Sequence, residues 1–147
     1  MHPNAEQVQH TLSSHGVAGR VVEFQDSTRT SAEAAQAIGT TVAQITKSLV
    51  FVAEGRPFLV IASGANRVSI DKVALLYDTP VRRAKADEVR AATGFPIGGV
   101  PPVGHATDID VLIDEDLFVY EEIWAAAGTP SAMRAMPAHI PASIGMP

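Results

Sequence analysis

Two consecutive runs of apolar, β-branched and aromatic residues lie near the middle of the chain. They span residues 47–53 and 57–62 and are separated only by Glu54, Gly55 and Arg56. Runs of this composition favour β-strands, and the short polar connection predicts that the two strands pair as a hairpin. Because nearly every position is apolar, rather than every second one, we expect the hairpin to lie in a sheet that is covered on both faces.

Helices are predicted on both sides of this hairpin, where apolar residues recur every three or four positions. The clearest start is Thr30 with Glu33, a capping box that satisfies free backbone amides, and Gly39 ends that helix. The helices are expected over residues 5–14, 31–38, 70–76 and 87–93, with a further helical turn where Thr41 and Gln44 repeat the capping signature.

The remaining apolar runs are short, and their composition predicts strands. They cover residues 19–24, 110–114, 117–120, 123–127 and 132–136, with a further short strand that begins at Val81. Strands and helices follow one another without a regular alternation, which is typical of an α+β fold. A chain of 147 residues predicts a single domain over residues 1–147, and the proline-containing tail, residues 137–147, is expected to be weakly ordered.

Residues 94–105 combine four glycines and three prolines with several apolar side chains. Glycine permits positive φ and close approach of the backbone, whereas proline fixes φ and removes an amide donor. The stretch therefore predicts a stiff, half-buried loop with exposed amides at Gly98, Gly99 and Val100. Such a loop can line a small-molecule pocket, or it can be a rigid connection that packs on the core.

Lys47 and His105 are the candidate chemical groups nearest to these features. Lys47 begins the first hairpin strand and shares a face with Leu49 and Phe51. Either its stem follows the sheet until the ammonium reaches water, or the ammonium faces a phosphate or a carbonyl oxygen in a cavity. His105 follows the loop; only its near-neutral pKa marks it, since a lone histidine is usually a surface or hydrogen-bonding residue.

Two charged clusters have a structural and a functional interpretation each. The acidic one most resembles a turn between strands, and it offers too few ordered oxygen ligands to favour a metal site. The basic one is either a solvated face or a small contact for the phosphates of a nucleotide terminus. The acidic residues are Asp108, Asp110, Asp114, Glu115 and Asp116, and the basic residues are Arg82, Arg83, Lys85 and Arg90.

Composition excludes several classes of function. There is no cysteine, hence no disulfide, no cysteine zinc site and no thiol nucleophile, and no apolar run approaches the roughly 20 residues of a membrane span. The net charge of −5 argues against a protein that coats DNA. No phosphate loop, dinucleotide fingerprint or metalloprotease motif occurs, so no cofactor and no metal are expected. The N-terminus lacks the features of a signal peptide, which favours a cytoplasmic location.

Three stretches, residues 31–51, 67–73 and 93–104, together resemble the YbaK/ProX family. This family comprises the free-standing relatives of the editing insertion domain of bacterial prolyl-tRNA synthetases. The resemblance runs from about Val22 to Met136 with the family's order and spacing. It implies a curled, mixed and largely antiparallel sheet around a pocket, flanked by short helices.

The resemblance also implies an activity, the hydrolysis of the 3′ ester of mischarged aminoacyl-tRNA, with tRNA-Pro carrying a small wrong amino acid as the expected substrate. Prolyl-tRNA synthetase is the expected protein partner. In the family the lysine is associated with activity and the glycine-rich loop holds the terminal adenosine and the ester carbonyl, which implies Lys47 as the catalytic residue. The attacking group would be water or a group of the substrate. The expected substrate-binding residues are Gly98, Gly99, Val100, Pro101, Pro102, Thr46, Ser48, His105 and Gly128.

The chain departs from the cysteine-specific members of that family. Where some of them have a serine and an aspartate near the last strands, this chain has Ala126 and Met133, which argues against a cysteine-type mechanism. Residues 125–128, Ala-Ala-Ala-Gly, predict instead a small apolar wall that shapes the amino-acid pocket. An alternative function is a non-catalytic module of the same fold that binds tRNA ends or nucleotides. A plain protein-interaction domain is a third, and it leaves Lys47 and the stiff loop unexplained.

Overall fold

The computed structural model describes residues 2–14, 16, 21–23, 30–102, 104–129 and 132–137. The helices are α1 (Pro3–Ser14), α2 (Ser31–Ile38), α3 (Ile70–Tyr77) and α4 (Ala86–Thr93), with 3-10 helices at Val42–Gln44 and Glu115–Val119. The strands are β1 (Val22–Glu23), β2 (Thr46–Ala53), β3 (Arg56–Ser63), β4 (Val81–Arg83), β5 (Asp110–Ile113), β6 (Glu122–Ala126) and β7 (Ala132–Pro137). The α+β class is therefore confirmed.

The predicted hairpin, β2 with β3, is the centre of a mixed four-stranded sheet in the order β4-β2-β3-β5. β5 lies parallel to β3, whereas the β2–β3 and β2–β4 pairs are antiparallel. A second, antiparallel sheet has the order β1-β7-β6. A single bridge between Ile45 and Trp124 links the two sheets just before β2 begins. The expected curled sheet is thus divided in two, with its break beside the start of β2.

Alternation along β2 sends side chains into two separate hydrophobic clusters, which confirms that the hairpin is covered on both faces. Val50 packs with Leu59 and Ile61 in the larger cluster, together with residues of α1 and α4. Phe51 packs with Phe58 in the smaller cluster, under Val73 of α3. Each such fully buried side chain stabilises the fold by roughly 1.5–3 kcal/mol. The hairpin is therefore held rigidly from both sides.

Local signals predicted the helix ends well. The backbone amide of Glu33 donates to the hydroxyl of Thr30 at 3.1 Å, and Gly39 ends α2 with a φ of 85°. The turn after Thr41 is the 3-10 helix Val42–Gln44, and the Thr41 hydroxyl bonds the side chain of Gln44 rather than a backbone amide. Among the described helices none is long and apolar enough to cross a membrane.

The predicted strand over residues 117–120 was wrong, because residues 117–119 belong to the 3-10 helix Glu115–Val119 and Tyr120 caps its end. The carboxylate of Asp114 accepts the backbone amide of Asp116 at 3.0 Å, and this cap starts the helical turn. Leu117 alone of its apolar residues is buried, while Phe118 and Val119 are exposed. Of the predicted strand 19–24 only Val22–Glu23 is seen, since residues 19–20 and 24 lie outside the described residues, as does the tail beyond residue 137.

Candidate functional site

A cavity of about 540 Å³ lies beside the first half of β2. β4 pairs with β2 only at residues 51–53, with one further bond from the amide of Ala84 to the carbonyl of Val50 at 3.0 Å. Beyond that point no described strand pairs with this side of β2. The wall of the cavity is built from α2, residues 46–50 of β2, the end of β4, α4, the glycine-proline loop, and single residues of β6 and β7.

Lys47 lines this cavity, and its ammonium has a fixed position. The Nζ atom donates to the backbone carbonyl of Asn66 at 2.7 Å. An ammonium has three donors, so two hydrogens remain for a ligand. Both expectations for Lys47 are therefore partly met: the stem follows the sheet to its edge, and the charge lies at a cavity.

Asn66 is itself held by the acidic cluster that follows β5. Its side-chain amide donates to Asp114 at 2.9 Å and to Asp116 at 2.7 Å. Asp114 also accepts the backbone amide of Ser63 at 3.0 Å. Although burial acts to raise the pKa of Asp114, its hydrogen bonds from Asn66, Ser63 and Asp116 outweigh burial and lower that pKa. The cluster is thus a turn that positions Asn66, and the described residues contain no group of three metal-ligating side chains.

The glycine-proline loop begins with a tight turn. The amide of Gly99 donates to the carbonyl of Pro96 at 3.0 Å, and Gly98 has a φ of 83°, which glycine adopts at little cost. The expectation of an exposed amide at Gly99 was therefore wrong. Gly98 and Val100 line the cavity, and their amides have no hydrogen-bond partner among the described residues. Gly98 is exposed, as expected, whereas Val100 is only 2% exposed, so the expectation was wrong for Val100 as well.

Gly128 and Gly99 lie outside the cavity wall, where two backbone segments touch. The amide of Gly128 donates to the carbonyl of Gly99 at 2.8 Å. A Cβ atom at Gly99 would lie 2.8 Å from the Cα of Thr129, and one at Gly128 would lie 2.7 Å from the carbonyl of Asn4. Both glycines therefore permit close packing of the backbone behind the loop. This packing fixes the positions of Gly98 and Val100.

His105 also acts on the loop from outside the cavity wall. Its Nε2 lies 2.8 Å from the carbonyl oxygen of Pro101, and both Pro101 and Pro102 are buried. Burial lowers the pKa of His105, although the hydrogen bond to Pro101 acts in the opposite direction. A neutral ring with a proton on Nε2 suits this bond. Because the ring of His105 bonds the backbone of the loop, we infer that this residue stiffens the loop.

Thr46 and Ser48 line the cavity on either side of Lys47 in sequence. Their hydroxyl oxygens are buried and make no hydrogen bond. Two apolar residues, Ala126 of β6 and its register partner Met133 of β7, also line the cavity. The expected small apolar wall, residues 125–128, is therefore met only at Ala126, because Ala125 and Ala127 are buried in the large core cluster. Among the described residues of the wall there is no aspartate, glutamate or histidine.

Arg83, at the end of β4, is the second cation of the cavity wall and was not among the predicted site residues. Its neighbour Arg82 is held by Glu88 through two bonds of 2.8 Å, whereas the guanidinium of Arg83 has no partner within the described structure. The basic cluster seen in the sequence was the available signal. It did not indicate which of its members would reach a pocket.

Comparisons with known proteins agree with this geometry. The sequence profile of the aminoacyl-tRNA editing domain matches residues 25–136. YwhH, an uncharacterized protein of Bacillus subtilis, is 34% identical over 110 residues, which are 74% of this chain and 70% of YwhH. A proline–tRNA ligase of Acidithiobacillus ferrooxidans is 31% identical over 87 residues, which are 58% of this chain but only 15% of the ligase.

A solved structure agrees over nearly the whole chain. A crystal structure described as a candidate trans-editing enzyme for prolyl-tRNA synthetase matches with a TM-score of 0.89 and 45% sequence identity. The match covers 98% of this chain and 94% of that one.

Proposed function

The chain belongs to the family of aminoacyl-tRNA editing domains and is thereby an aminoacyl-tRNA deacylase, and we propose that it acts in trans on mischarged tRNA-Pro that carries a small wrong amino acid. The likeness to a proline–tRNA ligase and to a candidate trans-editing enzyme supports the choice of tRNA. The apolar side chains of Ala126 and Met133 in the cavity wall support an amino acid without a charged side chain, and we propose a small one.

One observation carries the proposal: Lys47 lines the same cavity as Gly98 and Val100, whose amides have no hydrogen-bond partner among the described residues. In the reaction a water molecule adds to the ester carbonyl carbon, and negative charge develops on the carbonyl oxygen. We propose that the two amides stabilise that oxyanion, an effect of about 3 kcal/mol for one donor in hydrolases. The bond to the ribose oxygen then breaks, which releases the amino acid and leaves a hydroxyl on the tRNA.

Lys47 supplies a positive charge whose place is fixed before the substrate arrives. Because Asn66 holds one of its hydrogens, the ammonium has two donors left for the ester carbonyl or for the terminal phosphate. A preorganised charge of this kind stabilises a transition state without reorganisation during the reaction. We assign Lys47 as the catalytic residue on this basis.

The proton of the attacking water passes to the departing ribose oxygen, directly or through the neighbouring hydroxyl of the same ribose. The described cavity wall has no carboxylate or imidazole that would take it. General-base assistance from the substrate is consistent with a site that offers electrostatic stabilisation rather than a nucleophile.

The proposal is tested by deacylation of tRNA-Pro charged in turn with alanine, cysteine and serine, using the wild-type protein and Lys47→Ala. We expect release of at least one amino acid, reduced by about a hundredfold or more in the variant, the scale of a lost transition-state contact. Equal rates in both proteins would remove Lys47 from the mechanism. The exposed Lys72→Ala is the matched control, since it removes a lysine outside the cavity wall.

A non-catalytic module that binds tRNA ends is the second candidate function. The apolar residues Ala126 and Met133 and the lack of a base in the described wall favour it. Binding of tRNA-Pro without release of any of the three amino acids would support this candidate against the hydrolase.

We also propose prolyl-tRNA synthetase as a protein partner, because a synthetase that holds the mischarged tRNA would compensate for the low affinity expected of a chain with a net charge of −5. Co-sedimentation of the chain with prolyl-tRNA synthetase and tRNA-Pro tests this. Absence of a complex at physiological salt would contradict it.

A further inference from the structure

Two hydroxyl groups of the cavity wall have no hydrogen-bond partner. They belong to Thr46 and Ser48, which are two residues apart on β2 and therefore point to the same face of the strand. Thr46 is only 7% exposed, and both hydroxyl oxygens are covered. A buried polar group normally has a partner, so two such groups on one face of one strand call for an explanation.

Two other buried hydroxyls of this fold, on β3 and α4, are hydrogen-bonded within the protein. Ser63 is the register partner of Thr46 on β3, and its hydroxyl donates to the carbonyl of Ala43 at 2.8 Å. Thr93 is equally buried, and its hydroxyl donates to the carbonyl of Val89 at 2.7 Å. Within the described part of the chain, the buried hydroxyls without a partner thus belong to two residues that line the cavity, which points to a ligand as their partner.

The surroundings of these hydroxyls are apolar and uncharged. Val50, on the same face of β2, packs in the large core cluster with Val100. β6 packs against β2, and its Ala126 lines the same cavity. Lys47 points to the opposite face of the strand, where Asn66 holds its ammonium. A ligand group near Thr46 and Ser48 therefore meets small apolar side chains and two neutral hydroxyls.

We propose that Thr46 and Ser48 determine specificity for a hydroxyl-bearing amino acid, serine or threonine, on the tRNA. This inference rests on the proposed deacylase function and names its substrate class. A rotation about χ1, between staggered positions, turns each hydroxyl towards the cavity that its residue lines. The substrate hydroxyl then donates to one of the two oxygens and accepts from the other.

Other small amino acids fit this compartment less well. An alanyl group leaves both hydroxyls unpaired, and a site with buried polar groups rejects a ligand that lacks the matching group. An acidic side chain would require a cation next to it, but of the described cations of the wall Lys47 points to the opposite face of β2 from Thr46 and Ser48, and Arg83 lies at the end of β4. A neutral hydroxyl is the matching group.

The test compares tRNA-Pro charged with serine and with 2-aminobutyrate, which has nearly the same shape but no hydroxyl. We expect the wild-type protein to release serine with a kcat/KM higher by about tenfold or more, the scale of one hydrogen bond to a group otherwise left unpaired. In the double variant Ser48→Ala with Thr46→Val, the ratio is expected to fall to about one. Ser63→Ala removes a hydroxyl that is already paired, and we expect it to leave the ratio unchanged.

The outcomes separate this inference from the proposed function. Equal release of the two amino acids by the wild-type protein would overturn the specificity and leave the deacylase intact, whereas release of neither one, nor of alanine or cysteine, would overturn both. Thermal unfolding of the free variants adds a readout that needs no substrate. Loss of an unpaired hydroxyl is expected to leave the melting temperature equal or higher, and a clear decrease in both single variants would show that the hydroxyls already have partners.

Discussion

The Nζ atom of Lys47 and the backbone carbonyl oxygen of Asn66 are 2.7 Å apart, and this bond joins the catalytic candidate to the turn after β3. The turn depends on the side chain of Asn66, which donates to Asp114 and Asp116 after β5. The position of the ammonium is therefore set by a chain of contacts that begins at two carboxylates outside the cavity wall.

Substitution at Asn66 is expected to lower activity through Lys47. Asn66→Ala removes both anchors, so the carbonyl that holds the ammonium is no longer fixed; we expect kcat for deacylation to fall by about tenfold with little change in KM. Asn66→Asp places a third carboxylate beside Asp114 and Asp116 and is expected to be worse. Steady-state kinetics on the charged tRNA, with Lys72→Ala as control, checks the order. Full activity in Asn66→Asp would contradict it.

The stability of the fold is expected to fall in acid. Hydrogen bonds from Arg82, followed by that from the backbone of Lys85, lower the pKa of Glu88 from 4.5 to about 2, and the pKa of Asp114 is lowered as well. A carboxylate whose pKa is lowered in the folded protein stabilises the folded state at any pH above its ordinary pKa. That stabilisation is lost as the pH falls from the ordinary pKa through the lower pKa of the folded state. We therefore expect the free energy of unfolding to decrease as the pH is lowered from about 4.5 to about 2.

Urea denaturation across that range measures this dependence. Arg82→Met removes the first cause of the shift at Glu88, so the variant is expected to show a shallower decrease than the wild type. The effect is reduced at high salt, because the ion pair lies at the surface. An identical slope in both proteins would contradict the assignment.

The hairpin, the loop and Lys47 were predictable because their signals are local. Apolar composition, a short polar connection, and clustered glycines and prolines are all read from adjacent residues. The role of Asn66 was not predictable in this way. Its partners Asp114 and Asp116 are 48 and 50 positions away, and only the parallel pairing of β5 with β3 brings the two turns together.

The positions of Gly128 and Arg83 were not predictable from adjacent residues either. Gly128 was expected in the site and lies outside the cavity wall, whereas Arg83 was not expected there and lines it. Gly128 was expected to bind the substrate, but it packs on Gly99 behind the loop. This contact depends on the direction in which the chain leaves β6 over residues 126–129, which the local sequence does not show. Arg83 was one of four similar cations in the sequence, and it reaches the cavity because β4 ends there. Its expected role is the contact with a tRNA phosphate.

Substitution of Arg83 is therefore expected to weaken tRNA binding rather than chemistry. Arg83→Ala should raise KM several-fold, with kcat nearly unchanged, and should reduce the slope of log KM against log salt by about 0.7, the value for one phosphate contact on a single strand. Arg82→Ala is the matched control, since the guanidinium of Arg82 is already bound to Glu88. Equal salt slopes for wild type and Arg83→Ala would exclude the phosphate contact.

A Cβ atom at residue 99 is expected to displace the loop that carries the two free amides. In Gly99→Ala the added carbon would lie 2.8 Å from the backbone nitrogen and Cα of Thr129, and backbone cannot move aside as a flexible side chain can. Overpacking of this kind costs about 1–3 kcal/mol. Relief of the clash requires residues 97–100 to move away from Gly128, and that movement takes Gly98 and Val100 out of position, so kcat should fall together with the melting temperature.

Gly39→Ala is the control: it also strains the backbone, at a φ of 85°, but meets no atom within 4 Å and lies outside the cavity wall. It is expected to lower the melting temperature while leaving kcat unchanged. If Gly99→Ala were as active as the wild type at a temperature where both are folded, the amides of the loop would not be part of the catalytic site.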